Sequence, residues 1–178
     1  MRVLLVGSSE RGLTLARRLV ADGHAVRAVT RTEARRPELE AAGCECFIGD
    51  PDRIGTLRYG LENVTILVWA LATASGDDPE RVAALHGSRL KMMLEKTTDT
   101  TVRGVLYEAE GTLPDEVLAA GVEEVLWANR ANEIPYALLR ADGRDPDAWA
   151  QDALDTMATL LGDRPIAGQG AWPNSCPS

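Results

Sequence analysis

Histidine, cysteine and lysine are all scarce in this chain. Among 178 residues there are two histidines and three cysteines, and Lys91 and Lys96 are its only lysines. Cys44, Cys46 and Cys176 come without a second CxxC or a histidine pair, and no carboxylate and histidine cluster has ligand spacing, so no metal site is expected. The odd thiol count points to a reducing compartment, which makes a cytoplasmic location the expectation. Cys44 and Cys46 stand two apart in a predicted strand and share one face, a geometry that suits small buried hydrophobes and opposes a bond between them. No stretch approaches the roughly 18 to 20 apolar residues of a membrane span, and neither a signal peptide nor an anchor is expected. Surplus positive charge is missing as well. With a net charge of -8, the chain lacks the phosphate attraction that supports nucleic-acid binding, so no DNA or RNA partner is expected. No GxSxG elbow occurs, which leaves a hydrolytic triad without its nucleophile.

What is present is a chain 45% hydrophobic, long enough for one covered core and too short for two ordinary domains. Val3 to Val6 is an apolar run without alternation, as a parallel strand covered on both faces reads, and further strands are predicted at 25–29, 45–48, 65–69, 102–106 and 137–140. Helical spacing fills the intervals. Leu13, Ala16 and Val20 lead to a stop at Gly23, and shorter helices are expected at 37–42 and 52–60. Asp78-Pro79 opens a helix carrying Val82, Leu85, Met92 and Met93 toward the core. Pro114 opens another as far as Gly121, with a further helical stretch to Asn132. Asp145-Pro146 caps a last helix whose Trp149, Ala153, Met157 and Leu160 form one stripe ended by Gly162.

Strands alternating with helices call for a doubly wound α/β fold, a Rossmann fold of six parallel strands in the order 3-2-1-4-5-6. The expected domain is 1–162, followed by an irregular tail, 163–178, rich in Gly and Pro. Trp172 in that tail is expected to pack on the domain or on a partner subunit.

Between the first strand and the first helix lies Gly7-Ser8-Ser9-Glu10-Arg11-Gly12, the spacing of GxGxxG with serine at the middle glycine. Gly7 permits a tight turn and Gly12 close helix-strand packing, while main-chain N–H groups at the helix start face a pyrophosphate. Gly7, Ser8, Ser9, Arg11 and Gly12 are therefore candidate dinucleotide contacts. A turn that needs glycine and binds nothing is the alternative. The second strand ends Val29-Thr30-Arg31, where an NAD site has an acidic residue on the ribose hydroxyls and an arginine can pair with the 2′-phosphate of NADP. Arg31, with Arg35 and Arg36 close behind, directs the expectation to NADP(H) over NAD(H). For Arg35 and Arg36 a solvated basic helix start explains as much.

In these residues the chain resembles the atypical short-chain dehydrogenase/reductase group, including its NmrA-like and NAD(P)H-binding members. The likeness rests on Val6-Gly7 and the glycine turn, Gly23-His24-Ala25-Val26, Arg31, Gly49-Asp50-Pro51, Gly60-Leu61-Glu62-Asn63-Val64 and Ile134-Pro135-Tyr136-Ala137-Leu138-Leu139-Arg140. The resemblance implies that Asp50 sits at the adenine edge and that Ala70, Leu71 and Ala72 run beside the ribose and nicotinamide side. It also implies a serine after strand five and a YxxxK pair, and here the chain departs. Its tyrosines read Tyr59-x-x-x-Asn63, Tyr107-x-x-x-Gly111 and Tyr136-x-x-x-Arg140. Strand five instead runs into Tyr107-Glu108, candidate residues at the rim of the site, as phenolic donor and base or simply as packing with the hydroxyl at the rim. His86 reads as a surface or capping histidine and His24 as a turn residue. One helix and a short tail follow the sixth strand, so a large substrate would need an open site or one shared with a partner chain.

The function expected is a cofactor-sensing or regulatory NADP(H)-binding protein without standard reductase residues, with a homodimer or protein partner left open. An oxidoreductase acting on a small, flavin-like or quinone-like acceptor is the second reading, and a degenerate Rossmann scaffold the third. The scaffold reading requires Arg31 and the Gly7 turn to be blocked internally.

Overall fold

The computed structural model describes residues 1–162; the expectations for Trp172 and the 163–178 tail lie outside the described residues. Six strands form one parallel sheet in the order β3-β2-β1-β4-β5-β6. They are β1 (Arg2–Val6), β2 (Ala25–Thr30), β3 (Glu45–Ile48), β4 (Ile66–Trp69), β5 (Gly104–Glu108) and β6 (Tyr136–Leu139). The order predicted from the alternating pattern is the one observed. Along β1, Val3 and Leu5 enter one core and Leu4 and Val6 the other. Both faces of the strand are apolar because both are covered, which is why its sequence runs Val-Leu-Leu-Val without alternation.

One face packs α1 (Glu10–Ala21), α2 (Arg36–Ala41) and α6 (Pro146–Leu160). Leu15, Ala16, Leu19, Leu39, Trp149, Ala153 and Met157 are buried there, so the stripe predicted on the last helix does meet the sheet. Cys44 is buried and Cys46 half-buried in the same layer, both as free thiols. The opposite face packs α4 (Ser88–Thr97), α5 (Asp115–Asn132) and a 3-10 helix, Ile54–Leu61. Fully burying each of the larger side chains contributes roughly 1.5–3 kcal/mol.

Three elements differ from the sequence reading. The helix expected at 52–60 is the 3-10 segment Ile54–Leu61, with Gly55 and Gly60 lowering α propensity. The helix opened by Asp78 breaks into α3 (Pro79–Ala84) and α4. The break sits at Leu85-His86-Gly87, where Gly87 has φ -117° and ψ -109°. It releases the Leu85 carbonyl to accept from the Trp69 indole N–H at 3.0 Å. In α4 Met92 is 42% exposed while Met93 is buried. Conversely, α5 runs straight through Gly121, which is not a stop. A Cβ at Gly121 would stand 1.9 Å from the Tyr107 hydroxyl, so the glycine lets β5 and its tyrosine approach the helix.

Candidate functional site

Ligands of open α/β sheets lie beyond the carboxyl ends of the strands, at the switch point between β1 and β4. Here the β1-to-α1 turn is built by two glycines facing protein backbone. Gly7 has φ +114°, and a Cβ on it would lie 2.0 Å from the Ala70 carbonyl oxygen. At Gly12 a Cβ would lie 2.3 Å from the Gly7 carbonyl oxygen. The first glycine thus lets β1 turn against β4, and the second lets α1 start directly above that turn. Ser9 is the N-cap of α1, with no side-chain capping bond, and the first helical bond is Leu13 N–H to Ser9 O at 2.8 Å. The N–H groups of Glu10, Arg11 and Gly12 therefore have no helical acceptor and, with the positive end of the helix dipole, form an anion-binding edge.

Beside this turn opens a cleft of about 210 Å³ over β1, β2 and β3, its walls including Gly7, Ser8, Thr30, Arg31, Arg35 and Leu71. Gly49 and Pro51 close the β3 side. Asp50, half-buried between them, caps its own turn by accepting from Asp52 N–H at 3.0 Å. Ser8 is buried; its hydroxyl donates to the Val29 carbonyl at 3.0 Å and accepts from Arg35 Nη1 at 3.1 Å. Arg35 also pairs with Glu38, and Arg36 with Glu33 and Glu40. Arg31 is exposed, and among the described residues no hydrogen bond or ion pair engages its guanidinium. The basic start read at 35–36 is thus a paired surface, while Arg31 stands available.

Across the switch point the side chains turn inward. Arg11 reaches under the turn to Glu108 at the end of β5, with Nε to Oε1 at 2.8 Å and Nη2 to Oε2 at 3.0 Å. Glu108 is 1% exposed and accepts further from Ala72 N–H at 2.8 Å and from the Trp149 indole at 3.0 Å. Arg11 also donates to Thr73 Oγ1 at 2.7 Å and lies over the Trp149 ring. Tyr107 and Glu108 are therefore not at a rim, because both side chains are fully buried. The sequence offered one signal for the pair: an arginine in the first turn of a helix opposes the helix dipole, and such a cation needs a specific anion.

His86 is also buried rather than on the surface. Its Nε2 lies 3.1 Å from the Leu71 carbonyl, an acceptor, so that nitrogen carries the proton. Nδ1 then accepts from the Tyr107 hydroxyl at 2.6 Å, with Leu118 O at 3.2 Å from the same hydroxyl. Burial holds the imidazole below its ordinary value. Burial, with the charge of Glu108 adding to it, pushes the Tyr107 phenol far up, so this tyrosine has no phenolate to offer near neutral pH.

The turn, the strand order and the cleft are those of a dinucleotide fold, and comparison with known proteins agrees. The model of the family described as NAD(P)H-binding matches residues 7–128. The chain belongs to that family. Among curated protein sequences none matches it. Solved structures with the same fold include UDP-glucuronic acid 4-epimerase from Bacillus cereus in complex with NAD, at 14% identity, TM-score 0.62, over 79% of this chain and 56% of that one. UDP-glucose 4-epimerase from Thermotoga maritima matches at 14% identity, TM-score 0.65, over 79% and 55%. Triphenylmethane reductase from Citrobacter sp., complexed with NADP(H), matches at 20% identity, TM-score 0.57, over 78% and 48%. The chain thus spans about half the length of these proteins. The matched family region opens at Gly7 and takes in the turn, Arg31, the cleft and the Arg11–Glu108 pair, while β6 and α6, with Trp149, follow it.

Proposed function

We propose that this NAD(P)H-binding domain takes NADP(H) in preference to NAD(H) and acts as a cofactor-sensing or regulatory protein in the cytoplasm, without short-chain reductase chemistry of its own. Arg31 carries the reading. It is an unpaired guanidinium beside the cleft at the end of β2, where a 2′-phosphate is met in this fold. In the proposed complex the main-chain N–H groups from Ser8 to Gly12 receive the pyrophosphate, and Asp50 stands at the adenine edge. When bound, the cofactor would supply hydride chemistry, but the chain has no YxxxK pair to accompany it, and Tyr107 and Glu108 are tied up in internal bonds. The same openness at Arg31 weighs against a scaffold whose groove is blocked.

Isothermal titration tests the proposal. NADPH should bind, and Arg31→Ala should weaken it by about one to two orders of magnitude, since a charge-assisted hydrogen bond contributes roughly 1.5–3 kcal/mol. NADH affinity should barely move. Preference for NADH, or equal loss of both, would remove the NADP assignment, and turnover of NADPH with quinone or flavin acceptors would replace the sensor by an oxidoreductase.

A further inference from the structure

The groove at the carboxyl ends of the strands is open over one half of the sheet and shut over the other. Its open part, about 210 Å³, reaches the β4 side only at Leu71, in the loop after that strand. In this strand order a dinucleotide lies across the switch point with one mononucleotide on each half.

On the β4 to β6 half, three loops pack against one another at the strand ends. The loop after β4 meets the loop after β5: Thr112 and Leu113 N–H both donate to Ala72 O, at 3.0 and 3.2 Å. A Cβ on Gly111 would stand 2.3 Å from that same oxygen, so the contact is backbone against backbone. From the third side comes the loop before α6, where a Cβ on Gly143 would lie 3.3 Å from Arg11 Cδ. At the centre Glu108 accepts from Arg11, Ala72 and Trp149. No buried side-chain nitrogen or oxygen among the described residues lacks a partner. A nicotinamide ring placed at Glu108 would have to separate a buried ion pair and strand its charges.

We infer that the protein holds its ligand by the adenosine half alone, with only the adenosine-side phosphate of the pyrophosphate held at the start of α1. The ligand class is a 2′-phosphorylated adenosine nucleotide, and the nicotinamide end of NADP(H) stays in solvent. This rests on the NADP(H) reading above and gives it content: the protein follows the total NADP(H) pool and is blind to its reduction state.

Calorimetry on the unmodified chain with NADPH, NADP⁺, adenosine 2′,5′-bisphosphate and nicotinamide mononucleotide tests this. NADPH and NADP⁺ should agree within about twofold, the bisphosphate should bind within about threefold of both, and the mononucleotide should not bind. The fluorescence of the reduced nicotinamide should keep its solvent-exposed intensity and maximum on binding. NADPH binding about tenfold or more tightly than the bisphosphate, or than NADP⁺, would overturn the inference and leave the NADP(H) reading standing. If none of the adenosine ligands binds, both fall together.

Discussion

The two halves of the sheet treat charge in opposite ways at the same edge. Over β1 to β3 a guanidinium, Arg31, is left in solvent beside an open cleft. Over β4 to β6 another guanidinium, Arg11, is buried, bidentate to a carboxylate and stacked on an indole. An exposed, unpaired arginine costs the fold little and remains available to an anion. A buried one must have its anion supplied from within, and once supplied the pair becomes structure. In the proposed reading one arginine marks a site, and the other closes one.

The largest effect expected from breaking this contrast is on stability. Arg11→Ala or Glu108→Ala leaves an uncompensated buried charge and should cost about 3–5 kcal/mol, measured by urea unfolding. Arg31→Ala should change stability by less than about 0.5 kcal/mol. The double variant Arg11→Met/Glu108→Gln should recover most of the single losses, since replacing both partners avoids the stranded charge. Single variants as stable as the parent would mean that the second half-site is not locked.

A smaller effect concerns the tyrosine behind the pair. Gly121→Ala pushes a methyl onto the Tyr107 hydroxyl and should cost about 1–3 kcal/mol by overpacking. Tyr107→Phe removes the hydroxyl that stands closest and its bond to His86. The two substitutions should therefore be non-additive in a double-mutant cycle. Simple additivity would show that α5 shifts as a body instead.

The smallest is a pH effect. Because burial keeps the folded imidazole of His86 below its ordinary value, the unfolded chain binds a proton where the folded chain does not. Stability contributed by this group is complete above the ordinary histidine pKa of about 6.5 and declines as pH falls below it. Thermal midpoints between about pH 5 and about pH 7 should show that slope, and His86→Gln should flatten it. An unchanged slope in the variant would place its origin in other groups.

How legible these features were depended on the distance over which each is decided. The unalternating run Val3 to Val6, the Gly7 turn, the cap Asp145-Pro146 and the stripe Trp149-Ala153-Met157 are local patterns, and each recurs in the structure where the chain reads it. The helix break at His86 was missed because its reason lies elsewhere, in the Trp69 indole and the Tyr107 hydroxyl that the freed groups meet. Gly121 was misread as a stop for the same cause, since the atom that demands a glycine belongs to another element.

By itself the sequence determined the class of the fold, its strand order, the glycine turn and the arginine at the end of the second strand. These follow from hydrophobic periodicity and from conformations only certain residues adopt, properties of short segments. Only the tertiary structure decided which arginine is available and which is consumed. Arg11 and Glu108 are far apart in sequence, as are Arg31 and the cleft wall at Leu71. Whether a charged side chain meets solvent or a partner depends on what the folded chain brings within about 3 Å of it, the reach of a hydrogen bond.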